Sequence, residues 1–143
     1  MGVAAATTRV LQTMAGTFKF ELVTPQRMAL SEDASEVLVP GIEGEFTVLP
    51  GHAPVISALR PGVIEVARPG AGKTRIFVKG GFAEVDADHV TVLAERAIDV
   101  ATMDAASIAA ELEAAEANLA AATDDASRLA AAAAVERLKA LGR

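Results

Sequence analysis

The sequence contains no cysteine, tryptophan or tyrosine, and its aromatic content is five Phe in 143 residues. Without a thiol there is no disulfide, no thiolate nucleophile and no Cys-ligated zinc or iron–sulfur cluster. A reducing compartment is expected on the same ground. With 3% aromatic residues, stacking platforms for single-stranded nucleic acid are not available and the core has to be aliphatic. Positive charge is also in short supply. Lys and Arg number 13 against 19 Asp and Glu, a net charge of −6, with a pI of about 4.9. No basic field exists to hold a phosphate backbone, so no nucleic-acid partner is expected. No run of about 18 apolar residues is present, so no membrane-spanning helix is expected.

What the chain does have is apolar surface to bury. Hydrophobic residues make up 52% and the mean hydropathy is +0.35, well clear of the disordered regime. Its length suits one domain, and a chain of this size builds a core without staples. The first residues carry one Arg and no acid. They lack the apolar block and cleavage site of a secretory signal. Residues 1–14 are therefore expected to be an extension or tail.

The periodicity changes near Val100. Before it, Phe18, Phe20 and Leu22 alternate with Lys19 and Glu21, the period-2 pattern of a strand with one wet face. Further short apolar runs follow at Val37 and Val39, Phe46 and Val48, Val63 to Val66, Ile76 and Val78, and Val90 and Val92. Turn signals separate them every 8–12 residues or so, the spacing of a sandwich or barrel. No helical pattern lies between them, which disfavours a parallel βαβ sheet. After Val100 alanine dominates, the best helix former. Thr102 is the expected N-cap, with Asp104 in the first turn. Ile108, Leu112, Ala115 and Leu119 define one face, and Glu111, Glu113 and Glu116 are expected off that stripe. Thr123-Asp124-Asp125 breaks the run. A second helix then carries Leu129, Val135, Leu138 and Leu141, with Arg137, Lys139 and Arg143 near its end and Gly142 as its stop. Two amphipathic helices across a short break form an αα-hairpin. Its thin stripes predict a weakly held, detachable element.

Chemical motifs are sparse. Gly72-Lys73-Thr74 echoes the end of a phosphate loop, but Ala67 stands where the first glycine belongs and a strand follows. Gly80-Gly81-Phe82 is too short for a dinucleotide fingerprint and is expected to be a bulge or a close backbone approach. His52 lies in the stiff loop Pro50-Gly51-His52-Ala53-Pro54, either as a structural residue or as a partner contact. His89 opens a strand and is expected to be solvated. Two distant His give no metal-ligand spacing. Glu43 and Glu45 flank Gly44, either as a solvated turn or as an acidic rim facing a polar partner.

Several stretches taken together resemble a known family. They are Phe18-Lys19-Phe20-Glu21-Leu22-Val23-Thr24-Pro25, Val39-Pro40-Gly41-Ile42-Glu43-Gly44-Glu45-Phe46, Leu49-Pro50-Gly51-His52-Ala53-Pro54-Val55, Leu59-Arg60-Pro61-Gly62-Val63, Gly80-Gly81-Phe82-Ala83-Glu84-Val85 and Val90-Thr91-Val92-Leu93-Ala94-Glu95-Arg96-Ala97. This succession resembles the epsilon subunits of bacterial rotary ATP synthases and their mitochondrial delta counterparts. The resemblance runs from about Ala15 to the end and is strongest through Ile98. It implies a ten-stranded antiparallel β-sandwich over residues 15–100, followed by a C-terminal α-helical hairpin over residues 101–143.

The resemblance also implies a role. The chain would be a non-catalytic rotor subunit of the central stalk, linking the gamma subunit to the ring of c subunits, with no cofactor. It would lie at the cytoplasmic face of the bacterial inner membrane, peripheral through the complex. Gly41, Glu43, Glu45 and His52 match the family's c-ring and gamma contacts. In many relatives the hairpin brakes ATP hydrolysis by extending into the catalytic head. Arg128, Arg137 and Lys139 are the candidate contacts to the alpha and beta subunits there, or else simply cations suited to a helix dipole. One departure stands out. Some relatives bind ATP through an Ile/Leu-Asp-x-x-Arg-Ala motif, and the matching stretch is Met103-Asp104-Ala105-Ala106-Ser107-Ile108. Ser107 cannot supply the guanidinium's charge and fork of donors, which weighs against ATP sensing. Two rival readings stand beside this one: a free-standing nucleotide-sensing module, which the Arg loss disfavours, and a small hydrolase with a His52–Glu45 dyad, which the lack of a nucleophile disfavours.

Overall fold

The computed structural model describes residues 16–142. The expected extension at residues 1–14 and the cation Arg143 lie outside the described residues. Eight strands come first: β1 (Phe18–Thr24), β2 (Arg27–Ala34), β3 (Glu36–Gly41), β4 (Gly44–Val48), β5 (Val55–Ala58), β6 (Gly62–Arg68), β7 (Gly72–Val85) and β8 (His89–Asp99). A 3-10 turn (Val100–Thr102) leads into α1 (Ala105–Ala121) and α2 (Asp125–Leu141). The strands hydrogen-bond in the order β2-β1-β8-β7-β6-β3-β4, and β5 pairs with β7 off that path.

The architecture is the expected sandwich and hairpin, with eight strands instead of ten. The difference lies in two long strands. β7 does not break at its glycines: residues 72–78 pair with β6 and residues 82–85 with β5. β8 likewise runs unbroken beside β7 while its first half also pairs with β1. The β1–β8 pairing is parallel, so the sheet is not wholly antiparallel as expected. The two strands are distant in sequence, and the chain has ample length to return between them.

Alternation builds the core. Phe18, Phe20 and Leu22 are buried and join Val37, Val39, Ile64, Val66, Ile76, Val78, Val90 and Val92 in one aliphatic cluster. On β7 the core-facing positions change parity. Ile76 and Val78 face inward before Gly80-Gly81, and Ala83 and Val85 after it. β8 makes the same change between Ala94 and Ala97. Both glycines have positive φ, +66° and +116°, a conformation that favours glycine. The strand thereby turns its other face to the core without losing its ladder to β8.

That switch leaves Phe77 and Lys79 on the outer face of β7, where the hairpin packs. Val63 and Phe77 form a second buried cluster with Ala115, Ala134, Val135 and Leu138. Asp104, not Thr102, is the N-cap of α1; its carboxylate accepts the Ser107 N–H at 2.7 Å. Asp124 caps α2 in the same way at 2.7 Å, and Gly142 ends that helix.

Two expectations about the hairpin faces fail. Leu129 is 71% exposed. It lies nine residues before Leu138, two and a half turns or about 180° around the helix, so the two cannot share a seam. Glu111 was expected off the stripe of α1 and is instead buried, at 8% exposure. It stands three residues after Ile108 and four before Ala115, so spacing puts it on the seam whatever its charge. Lys79 and Arg96 meet it there.

Candidate functional site

The candidate contacts gather at the end of the sandwich where β3 turns into β4. Gly41 is tightly enclosed: a Cβ there would lie 2.8 Å from the Gly44 carbonyl and 3.0 Å from the Phe46 ring. The turn is stitched to the rest of the sheet by backbone bonds. Ile42 N–H donates to Ala58 at 2.9 Å and Arg60 N–H to Pro40 at 3.1 Å. Glu43 therefore projects from a stiff tip, exposed to solvent.

His52 is half-buried in its loop. Its backbone N–H donates to Leu49 at 3.1 Å, and Gly51 N–H ties the loop to Ala87 at 2.8 Å. The ring stands 2.6 Å, at Nδ1, from the Ala53 carbonyl and packs near Phe46, with centroids 6.3 Å apart. Glu43, Phe46 and His52 line one open cleft of about 410 Å³ together with Ile42, Val55 and Ile56.

Glu45 is not part of that cleft. It follows Gly44 on the opposite parity of β4 from Phe46 and lines a separate cleft of about 270 Å³ with Arg60, Glu136 and Arg137. The structure thus brings Glu43 and His52 together and turns Glu45 toward the hairpin. A His52–Glu45 dyad has no geometric basis.

The hairpin candidates are dispersed. Arg137 is half-buried and faces the sandwich at the Glu45 cleft. Lys139 lies beside Ile108 and Leu112 at another opening. Arg128 stands at the far end of α2, 3.2 Å from Asp125. The degenerate motif residues do structural work: Met103 packs against the hairpin cluster, Asp104 caps α1, and Ile108 is half-buried on the seam. The Asp104 carboxyl is held below the usual carboxylate range, first by the backbone N–H of Ser107 and then by its hydroxyl. Asp104 is thereby occupied, and Ser107 presents no cation. His89 is half-exposed, as a solvated strand opener should be, and stands 2.9 Å from Glu21.

One surface was missed from the sequence. Strand register places Ala58, Phe82, Leu93, Val23 and Met28 in a row across β5, β7, β8, β1 and β2. Phe82, Leu93 and Met28 are 54%, 44% and 54% exposed, and Ile56 beside them is 72% exposed. An apolar row on the solvent face of a sheet marks an interface. The signal was present at Phe82 and Leu93, apolar residues at wet positions between buried Ala83, Val92 and Ala94. Reading it required the parity switch at Gly80-Gly81. Among the described residues, no helix is long and apolar enough to cross a membrane.

Comparison with known proteins agrees with this geometry. The family described as ATP synthase, delta/epsilon chain, beta-sandwich domain matches residues 17–100. The ATP synthase epsilon chain of Rhodospirillum rubrum is 47% identical over 119 residues, 83% of this chain and 89% of that one. The epsilon chain of Parvibaculum lavamentivorans is 44% identical over 128 residues, 90% of this chain and 97% of its own length. Among solved structures, a chain of the Euglena gracilis mitochondrial ATP synthase (OSCP/F1/c-ring, rotational state 1) superposes with a TM-score of 0.68 at 28% identity, over 87% of this chain and 79% of that chain. A chain of the Tetrahymena thermophila mitochondrial ATP synthase central stalk and c-ring shares the fold, with a TM-score of 0.60 at 16% identity over 88% of this chain and 96% of its own.

Proposed function

The chain belongs to the ATP synthase delta/epsilon family, as an epsilon-type, non-catalytic chain, and from that premise we propose that it joins the gamma subunit to the c-ring in the central stalk. Its structural relatives come from ATP synthase assemblies that contain the c-ring, and the stalk in which we place the chain is peripheral to a membrane. Its bacterial relatives support a finer placement, at the cytoplasmic face of a bacterial inner membrane.

The observation that carries this reading is that one stiff sandwich presents two surfaces of different chemistry, an apolar row and a tip bearing Glu43 and His52, which adjoin at Ile56 and Ala58. The apolar row of Phe82, Leu93 and Met28 suits a permanent partner, because apolar area is the main driving force of lasting association. We assign it to gamma. The tip with Gly41, Glu43 and His52, which sets charged and polar groups beside exposed Ile42 and Ile56, suits a contact with the repeated surface of a ring, and we assign it to the c-ring. Glu45, turned toward α2, lies at the edge of that contact. Residues 15–100 would form the coupling unit and residues 101–143 the regulatory one.

The hairpin is the candidate brake on ATP hydrolysis. Its docked state holds Arg137 against the sandwich, so a contact between Arg137 and the alpha or beta subunits requires release. Arg128 and Lys139 are reachable in either state. The nucleotide-sensing alternative is not favoured: Asp104 is spent as a cap and Ser107 supplies no charge. The test is affinity capture with the full chain from detergent-solubilised ATP synthase membranes stripped of their own epsilon chain. Recovery of gamma and c subunits supports the assignment, and recovery of neither contradicts it.

A further inference from the structure

On the outer face of the β7–β8 ladder, Lys79 and Arg96 are directly paired in register. Like charges opposite one another on a sheet repel. Both side chains point to α1, where Glu111 receives them: Lys79 Nζ lies 2.5 Å from Oε2 and Arg96 Nη2 lies 2.8 Å from Oε1. Each carboxylate oxygen thus takes one cation. Among the described residues, Glu111 is the one buried charged residue.

The three charges are not equally dependent on the contact. The Lys79 and Arg96 side chains are 26% and 60% exposed, while that of Glu111 is 10% exposed. If the hairpin stays docked, the cations can still reach water and the carboxylate cannot. A desolvated carboxylate without its partners is costly, more so than the same site made wholly apolar. On the helices, the buried part of the rest of the seam is mostly small: Ala115, Ala131, Ala134 and Val135, with Leu138 as the one large fully buried side chain and Leu112, Leu119 and Leu141 only partly buried beside it. The ionic contact therefore weighs heavily in whether the hairpin stays down.

We propose that Glu111, clasped by Lys79 and Arg96, is a charge latch that holds the helical hairpin on the sandwich and sets how readily it is released. The regulatory meaning rests on the proposed role of the hairpin. The latch itself is a property of the isolated chain and is tested there, so failure to capture gamma and c subunits leaves it standing, and its failure leaves that capture intact.

Because the sequence has no native cysteine, a pair of spin labels can be placed uniquely. Ala71→Cys in the exposed β6–β7 turn and Leu129→Cys on the exposed side of α2 report the distance between sandwich and hairpin in the full chain. Double electron–electron resonance on this parent should give one short distance population. Lys79→Met with Arg96→Met keeps the aliphatic stems and removes both charges. The long-distance fraction should rise at least about tenfold, well below what a fully buried pair would give. Adding Glu111→Gln to that variant should bring the short population back, since no charge is then buried. Glu111→Gln alone should open the hairpin less than the double Met variant, because its orphaned cations reach water. Retained β-type circular dichroism establishes that each variant is folded. The proposal is overturned if the double Met variant keeps the parent distribution while Leu138→Ala opens it. It is equally overturned if Glu111→Gln fails to restore closure.

Discussion

Gly81 lies so close to the backbone of β8 that a Cβ on it would collide with the Leu93 carbonyl and the Ala94 Cα. Its φ of +116° adds a conformation that other residues rarely adopt. The contact fixes the point where β7 and β8 change their core-facing parity, and so decides which side chains face the hairpin and which face solvent. Gly81→Ala should destabilise the sandwich by about 2–4 kcal/mol, from strain and steric clash together. Gly70→Ala, with positive φ but open space around it, should cost roughly 1 kcal/mol. Urea unfolding of the two variants checks the difference, and equal midpoints would contradict it.

The hairpin has one fully buried large anchor, with Leu112, Leu119 and Leu141 partly buried around it. Leu138 is fully buried among Val63, Phe77 and Val135, and Leu129 is exposed. Leu138→Ala should weaken hairpin docking by about 2–5 kcal/mol. Leu129→Ala should stay within about 0.5 kcal/mol. Amide exchange should rise across residues 105–141 in the first variant and leave β1, β7 and β8 protected. Uniform loss of protection would mean that hairpin and sandwich unfold as one unit.

Both helices begin on an aspartate whose carboxyl is held below the usual carboxylate range by the N–H at the third position of its helix, that of Ser107 for Asp104 and Ser127 for Asp124. The folded form therefore binds the proton less readily than the unfolded form. The caps' contribution is complete above the ordinary carboxylate value and is lost as pH falls through the lowered folded value. Helicity should decline in acid. Asp104→Asn with Asp124→Asn, which keeps an acceptor but cannot titrate there, should flatten that decline. Circular dichroism between about pH 6 and pH 2 decides it; an unchanged acid profile in the variant would remove the caps as the cause.

Much of this was legible in the sequence. The strand of Phe18, Phe20 and Leu22, the break at Thr123-Asp124-Asp125 and the stop at Gly142 follow from short-range rules that the structure obeys. Others failed because they depend on distant partners. Glu111 has helical spacing for the seam, but its polarity argued for solvent until Lys79 and Arg96 appeared from other strands. Leu129 matches Leu138 in residue type, but the 3.6-residue period puts the two on opposite sides of the helix. The strand count turns on whether β7 and β8 each run unbroken past Gly80-Gly81, and only their pairings with β5, β6 and β1 answer that. The candidate contacts Glu43 and Glu45 read as one acidic rim, but Glu43 lies in the turn before β4 and Glu45 on the strand after Gly44, whose φ is +140°, and the two line different clefts.

The apolar row gives a direct mutational handle. Phe82→Asp with Leu93→Asp places two like charges on a solvent-facing surface at directly paired positions of β7 and β8, so the isolated chain should lose about 1–2 kcal/mol and stay folded. Capture of gamma should fall sharply, because the charge must be desolvated in the interface. His52→Ala and Glu43→Ala should leave gamma capture intact and weaken the c-ring contact. If both pairs act alike, the division of surfaces is wrong.

The central claim is that this chain couples catalysis to proton movement without performing chemistry of its own. The most direct measurement is ATP-driven acidification of inverted membrane vesicles depleted of their epsilon-type chain, with hydrolysis followed in the same sample. Adding the full chain should restore acidification per ATP hydrolysed, and the Phe82→Asp, Leu93→Asp variant should not. Hydrolysis that continues without acidification, whether or not the chain is added, would contradict the account.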